Sequence, residues 1–306
     1  MTEFAVTPWS LGDNIKAAHL AEQAELAEKM GFHSFWLPEN HFGDQRSIPS
    51  PLTLLAAVAA RTSTIKLGTT SYLITIRHPL QAAEEVAVLD QLCEGRLILG
   101  LGRGVQAGMF KAFDLPTKEK RKRFQQNLDL MLAAWAGEPV AFDDDQPVIL
   151  APLPFQSPHP ELWMAAFGPL ALKQAGRLGT PYLASPIETL ATLTDNYQQF
   201  NEAVADAGNK PVPIVPVMRS IFISDNSRLR ENLKAALDDG LPHAMRDSGA
   251  GIDDWAIIGD AAYVKDRLSE YIDILGVTHF IARGRFPLVS NTEQLKSHED
   301  LMDLGV

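Results

Sequence analysis

An Ala- and Leu-rich helical pattern, closed by a glycine and followed by a short apolar run, returns along the chain. It reads "LAEKMGFHSFWL", "LDQLCEGRLILGLG", "LKQAGRLGTPYLA", "AVADAGNKPVPIV" and "IDILGVTHFIA". Gly31, Gly95, Gly179, Gly208 and Gly276 stand where helix C-caps belong, since glycine enters the left-handed conformation without a Cβ penalty. A related unit, "LLAAVAARTSTIKLGTT", lacks the glycine. The apolar runs do not alternate cleanly, as expected of parallel strands covered on both faces. With the opening "EFAVTPW" the pattern yields about eight strands, the count of a (β/α)8 barrel.

The predicted fold is therefore an α/β (β/α)8 TIM barrel, one domain over residues 1–306, with an excursion between the fourth helix and the fifth strand. A doubly wound sheet is the alternative, being built from the same βα repeats. The excursion is the proline-rich stretch "EPVAFDDDQPVILAPLPFQSPHP" at 138–160, and a second irregular stretch runs over 238–254. The helices carry apolar stripes at the helical period: Ala17, Leu20, Ala21, Ala24 and Ala27 in the first, Phe124, Leu128, Met131 and Trp135 in the fourth.

Composition narrows the partners. A net charge of −11 argues against nucleic acid, which needs a clustered basic face. The basic run "KEKRKR" at 118–123 reads mainly as a solvated helix start. No stretch approaches the roughly 18 apolar residues of a membrane helix. The opening "MTEFAVTPWS" lacks a signal-peptide pattern, and the one cysteine, Cys93, fits a reducing compartment, so a cytoplasmic location is expected.

The segment "RLILGLGRGVQAG" at 96–108 resembles a dinucleotide fingerprint but fails it. Val105 occupies the third glycine position, the turn follows the fourth strand rather than the first, and no acid lies about 20 residues on, where Phe124 stands. In a barrel, such a bare strand end opens space for a ligand. Other strand ends are rich in polar groups: Glu39, Asn40 and His41 in "LPENHFGDQ", and Thr70 and Ser71 in "GTTSYLITIRHP". At "ELWMAAFGPLA" a strand runs into Gly168 and Pro169, where free helix N–H groups could meet a phosphate.

Plainer roles suit other residues. His78 precedes Pro79 at a helix start, His159 lies among prolines, Cys93 reads as packing, and Asp143, Asp144 and Asp145 read as a solvated turn. His41 by itself is compatible with a partly buried loop histidine. Glu39 and His41 are two potential ligands without the spacing of a zinc site, so no metal is expected. A nucleophile elbow is missing.

Taken together, "GFHSFWLPENHF", "ARTSTIKLGTTSYLITIRHPLQAAEEVAVLDQLCEGRLILGLGRG", "LWMAAFGPLALKQAGRLGTPYL" and "IIGDAAYVKDRLSEYIDILGVTHFI" resemble the bacterial luciferase-like flavin-dependent monooxygenases. The resemblance implies a (β/α)8 barrel holding reduced FMN (FMNH2). With O2 and a C4a-peroxyflavin, it would oxygenate a small organic substrate. It also implies a separate NAD(P)H:flavin reductase as supplier of FMNH2, and a homodimer formed through the Ala-rich helices "LTLLAAVAA" and "LQAAEEVAVLDQL". Carried over by position, Arg103 and Arg123 bind phosphate, with the backbone of Phe167 and Gly168. Thr70 and Ser71 fall at a non-prolyl cis peptide beneath the flavin ring. Glu39 and Gly102 join the cofactor-binding set, and Asn40 and His41 the catalytic one.

This chain departs from luciferases at two points. Asn40 replaces the first histidine of their Glu-His-His, and asparagine cannot act as a general base near neutral pH. Gly102 stands at their reactive cysteine. The resemblance therefore leaves two alternatives: an F420-dependent hydride-transferring oxidoreductase of the same superfamily, and a flavin-binding protein without catalysis. Arg103 after Gly102 favours FMN, and Val105 stands where some F420-dependent sugar-phosphate dehydrogenases carry a glutamate. Trp9, Met109, Phe110 and 238–254 are candidates for the substrate pocket, though equally for barrel packing.

Overall fold

The computed structural model describes residues 2–240 and 250–306. Strands and helices alternate along it. The first unit of chain supplies β1 (Glu3–Val6), α1 (Ala17–Met30), β2 (Ser34–Leu37), α2 (Pro51–Ala59), β3 (Lys66–Thr69), β4 (Tyr72–Leu73) and α3 (Pro79–Leu92). Next come β5 (Leu97–Gly102), a short α4 (Ala107–Ala112), α5 (Lys120–Trp135), β6 (Ala141–Asp143), β7 (Gln146–Val148) and β8 (Glu161–Ala165). The remainder holds α6 (Pro169–Leu178), β9 (Tyr182–Leu183), α7 (Leu190–Asp206), β10 (Pro216–Ile223), α8 (Ser227–Asp239), β11 (Ala256–Gly259), α9 (Ala261–Leu275), β12 (His279–Arg283) and α10 (Asn291–Met302).

Two compact units result. One comprises Met1–Ser10, Leu26–Trp36 and Ala166–Val306, the other Leu11–Glu25 and Leu37–Ala165. In the former, β11, β10, β12, β1 and β2 lie side by side, every pair parallel, with Phe4 opposite Phe280 and Val217 opposite Phe280 on the other side. In the latter, β5 is central and parallel to β3, β4 and β8. Continuous burial along β2, β5, β10 and β11 matches the unbroken apolar runs in the sequence.

The five glycines expected at helix ends all have positive φ, from 64° at Gly179 to 88° at Gly31. Elsewhere the pattern misplaces an element. The run "PVPIV" at 211–215 is not a strand; the strand starts one residue later, at Pro216. Pro211 and Pro213 lack the N–H a ladder needs, and proline is tolerated at a strand's first position. Nor is 138–160 wholly irregular, because β6 and β7 form an antiparallel hairpin. Asp144 and Asp145 turn it with φ of 43° and 69°, the mirror-image geometry that fits the strand twist. The far end of this stretch is stitched down by buried Asp90, which accepts from Gln156 N (2.8 Å) and Nε2 (2.7 Å). No helix among the described residues is long and apolar enough to cross a membrane.

At the C-terminal helix, His298 is buried with the rings of Trp9 and Phe32 set edge-on to it. The Gln294 amide donates to its Nε2 at 2.7 Å, which fixes the neutral tautomer with the proton on Nδ1. Burial pushes the imidazole pKa down to about 4. An unfolded histidine near pH 6.5 binds its proton where the folded one does not, so stability rises with pH between those values. Acidification from pH 6.5 to 4 should therefore cost roughly 3 kcal/mol at this one group. Urea unfolding of wild type and His298→Gln at pH 7 and pH 4.5 checks it: the difference between the two pH values should shrink in the variant, and an equal difference would refute the assignment.

Candidate active site

The chain leaves β2 through Pro38 and delivers Glu39 into the protein with its side chain fully enclosed. A buried carboxylate is stable only with donors and a counter-charge. Arg77 Nη1 donates to Oε1 at 2.7 Å and also to the Leu73 carbonyl, while Leu73 N donates to Oε2 at 3.0 Å. The guanidinium carbon of Arg77 lies 4.1 Å from the centre of the Tyr72 ring. His41 Nε2 is 2.7 Å from the same Oε1. Because the carboxylate only accepts, Nε2 donates to it. Nδ1 makes no hydrogen bond to a described residue. Asn40 braces the loop: its N donates to the Ile48 carbonyl and its Oδ1 accepts from Ile48 N at 2.6 Å. Phe42 and Phe113 flank His41, with ring centres 5.8 and 5.4 Å from it, and Phe42 is 67% exposed.

A cis peptide joins Thr70 to Ser71, between β3 and β4. Gly102 ends β5 against that bond, and a Cβ on it would fall 1.9 Å from Ser71 Oγ. The missing side chain thus admits Ser71. Only glycine tolerates so close an approach.

Arg103 follows, half-buried, and its guanidinium makes no hydrogen bond or ion pair with a described residue. Burial lowers its proton affinity, and the nearby charge of Arg121 lowers it further. Thr75 connects this arginine to the start of α5: its hydroxyl donates to the Arg103 carbonyl at 3.0 Å, and its own carbonyl accepts from Arg123 Nε at 3.2 Å. One turn on, buried Asn127 donates to the Ile74 and Arg77 carbonyls, and Lys120 donates to Gly104. The terminal nitrogens of Arg123 are left without partners among the described residues. Each guanidinium has free donors and no carboxylate partner among the described residues, which is donor chemistry suited to a phosphate.

Glu39, Asn40, His41, Thr70, Ser71, Gly102, Arg103 and Arg123 all belong to one compact unit. Phe167 and Gly168 belong to the other. There Phe167 is exposed, and Gly168, with φ of 80°, caps α6 ahead of Pro169. Trp9, Met109 and Phe110 are buried, Met109 and Phe110 against Leu73, so packing accounts for them. Most of 238–254 lies outside the described residues. Arg77, Thr75 and Asn127 escaped sequence reasoning. Arg77 stood in plain view in "RHP", but its partner is 38 positions away. No group of three or more metal-ligating side chains occurs among the described residues.

The family model for luciferase-like monooxygenases matches residues 1–279. The chain belongs to that family. Limonene 1,2-monooxygenase of Rhodococcus erythropolis is 30% identical over 186 residues, 58% of this chain and 48% of the relative. The oxygenating constituent of 3,6-diketocamphane monooxygenase from Pseudomonas putida, solved in complex with FMN, shares the fold with a TM-score of 0.83. At 18% identity the likeness covers 99% of this chain and 97% of the other. An F420-dependent secondary alcohol dehydrogenase, solved with an F420–acetone adduct, shares it at TM-score 0.79 and 17% identity, over 99% and 98%. Solved structures of this fold thus include one with FMN and one with an F420 adduct.

Arg77→Met would leave the enclosed Glu39 carboxylate without its cation. The expected loss is about 3 kcal/mol in urea unfolding at pH 7, with Arg77→Lys intermediate. A loss below about 1 kcal/mol would show that the ion pair does not carry the carboxylate.

Proposed function

We propose that this protein is the oxygenase component of a two-component monooxygenase, a single (β/α)8 domain over residues 1–306 that acts in the cytoplasm. It takes FMNH2 from a separate NAD(P)H:flavin reductase and uses O2 to oxygenate a small organic molecule. The observation that carries the reading is half-buried Arg103, whose guanidinium has no acid partner among the described residues and whose backbone carbonyl is bonded by Thr75, which also accepts from Arg123. Reduced FMN, when bound, supplies the electrons that activate O2.

In this reading Arg103 and Arg123 hold the phosphate. The backbone at Thr70 and Ser71 supports the ring. Glu39 aligns His41 by accepting its Nε2 proton, so that Nδ1 is free to take a proton from the reacting molecule and return it. Asn40 holds the loop in place. Phe42 and Phe113 cover His41 and keep water from it. Val88 and Leu92, exposed and four residues apart on α3, form an apolar stripe that suits the proposed homodimer.

Anaerobic titration with FMNH2, then rapid mixing with O2, tests the function. Binding followed by a transient absorbance and substrate-dependent O2 uptake is expected. Binding without O2 uptake on any substrate would indicate the non-catalytic flavin binder, and binding of reduced F420 in place of FMNH2 would indicate the hydride-transfer branch. Arg103→Ala should weaken FMNH2 by about tenfold or more; an unchanged dissociation constant removes it from the site. His41→Gln should cut turnover roughly 100-fold while FMNH2 affinity stays within about threefold. Leu92→Glu should convert a dimer to a monomer by light scattering, and a persisting dimer would exclude this face.

A further inference from the structure

Three ionisable side chains meet on one oxygen, all within the Leu11–Glu25 and Leu37–Ala165 unit. Oε1 of Glu39 lies 2.7 Å from both Arg77 Nη1 and His41 Nε2. The group is withdrawn from water: the Glu39 side chain is fully enclosed, that of His41 is 7% exposed and that of Arg77 17%. A guanidinium opposite a carboxylate commonly places two parallel bonds on its two oxygens. Here Nη1 alone reaches Glu39, and Leu73 N takes Oε2.

The rest of the guanidinium is held elsewhere. Nη1 also donates to the Leu73 carbonyl at 2.9 Å, and Nη2 to the Pro49 carbonyl at 3.4 Å. Its central carbon stands over the ring of Tyr72, whose hydroxyl donates to Glu85 of α3 at 3.1 Å. A fixed cation therefore shares with His41 the one oxygen that orients the imidazole.

The consequence is electrostatic. A carboxylate facing an imidazole alone strengthens proton binding by about 10- to 1000-fold. A histidine so paired takes a proton readily and returns it poorly, whereas acid–base work needs both steps near the working pH. A cation on the shared oxygen repels the imidazolium and offsets the pull of the carboxylate. Among the described residues no other charged group bonds to His41. Phe42 of its own loop and Phe113 after α4 meet it as rings, and Asp44 of the loop pairs with Arg46. The side chains of Lys111 and Asp114, either side of Phe113, form no ion pair with a described residue.

We propose that Arg77 is a positioning residue whose charge, set on the oxygen shared by Glu39 and His41, keeps His41 able to release the proton it takes up. The charge arrangement stands on the geometry; its use in turnover rests on the monooxygenase reading.

NMR titration of the His41 imidazole in the whole protein, without flavin, reads the arrangement directly. In Arg77→Gln the midpoint should rise by about one pH unit or more, since Glu39 then faces the imidazole unopposed. Arg77→Lys keeps the charge and should stay within about half a unit of wild type. An unchanged midpoint in Arg77→Gln, or an equal rise in Arg77→Lys, would overturn the proposal. Should Arg77→Gln fail to fold, Glu39→Gln is compared with the double variant Glu39→Gln/Arg77→Gln, which leaves no buried carboxylate unpaired. The double variant should titrate about one unit higher, and equal midpoints would overturn the proposal. The pH dependence of O2 uptake by the FMNH2-loaded protein should move up with the midpoint in Arg77→Gln and return in Arg77→Lys. A raised midpoint with an unmoved profile would overturn the role in turnover. If wild type itself takes up no O2, the monooxygenase reading fails, and the NMR midpoints still decide the charge arrangement.

Discussion

The buried carboxylate of Glu39 organises the candidate site. Enclosed without donors it would cost several kcal/mol, so its position is defined by the three groups that answer it. Leu73 N fixes the chain after the cis peptide, Arg77 fixes the end of the following turn, and His41 is oriented by the same oxygen that Arg77 holds. With 73 and 77 set, the carbonyls of Ile74 and Thr75 fall where α5 can meet them through Asn127 and Arg123. Thr75 then passes the constraint to Arg103. A single acid at the end of β2 thus helps to place a histidine and two arginines on separate elements.

The arginines divide into two kinds, and the division separates scaffold from site. Arg96 donates to the carbonyls of Ala59, Thr62, Ile65 and Cys93 and to the Thr62 hydroxyl, closing a corner between α2, β3 and β5. Arg219 performs the same service in the other unit. Arg96 makes five such bonds and Arg219 three, most of them to backbone oxygens that burial would otherwise leave bare. Arg103 holds its donors unused in partly enclosed surroundings. That is a costly state for a scaffold and a natural one for ligand recognition.

Much of the alternation of helices and strands was legible, because helical periodicity and C-terminal glycines are local signals. Gly95 and Gly276 could be assigned to helix ends from their neighbours alone. The polar cluster after β2 was visible for the same reason. What stayed hidden depends on contacts distant in sequence. Gly102 reads as an opening, and only the approach of Ser71, about 30 residues earlier, shows that it is a fit between backbone and side chain. Arg77 reads as the residue before a helix start. Met109 and Phe110 are core, whereas Phe42 and Phe113 beside His41 are exposed, and aromatic content alone does not tell buried from exposed. Saturated and idle arginines are identical in sequence and separate only when their partners can be counted.

The choice of arginine at position 103 follows from the same desolvation that makes it unusual. Burial and a neighbouring cation both favour the neutral form, and both act on Arg103. Lysine begins about two pKa units lower and loses its proton readily in such a recess. Arginine starts so high that the same depression leaves it charged across the physiological range. With a net charge of −11, the chain as a whole does not attract anions from a distance, and beyond a Debye length that field is screened in any case. Recognition of an anion must then come from a charge that is close, oriented and permanent, and a partly buried guanidinium without an internal acid meets all three conditions.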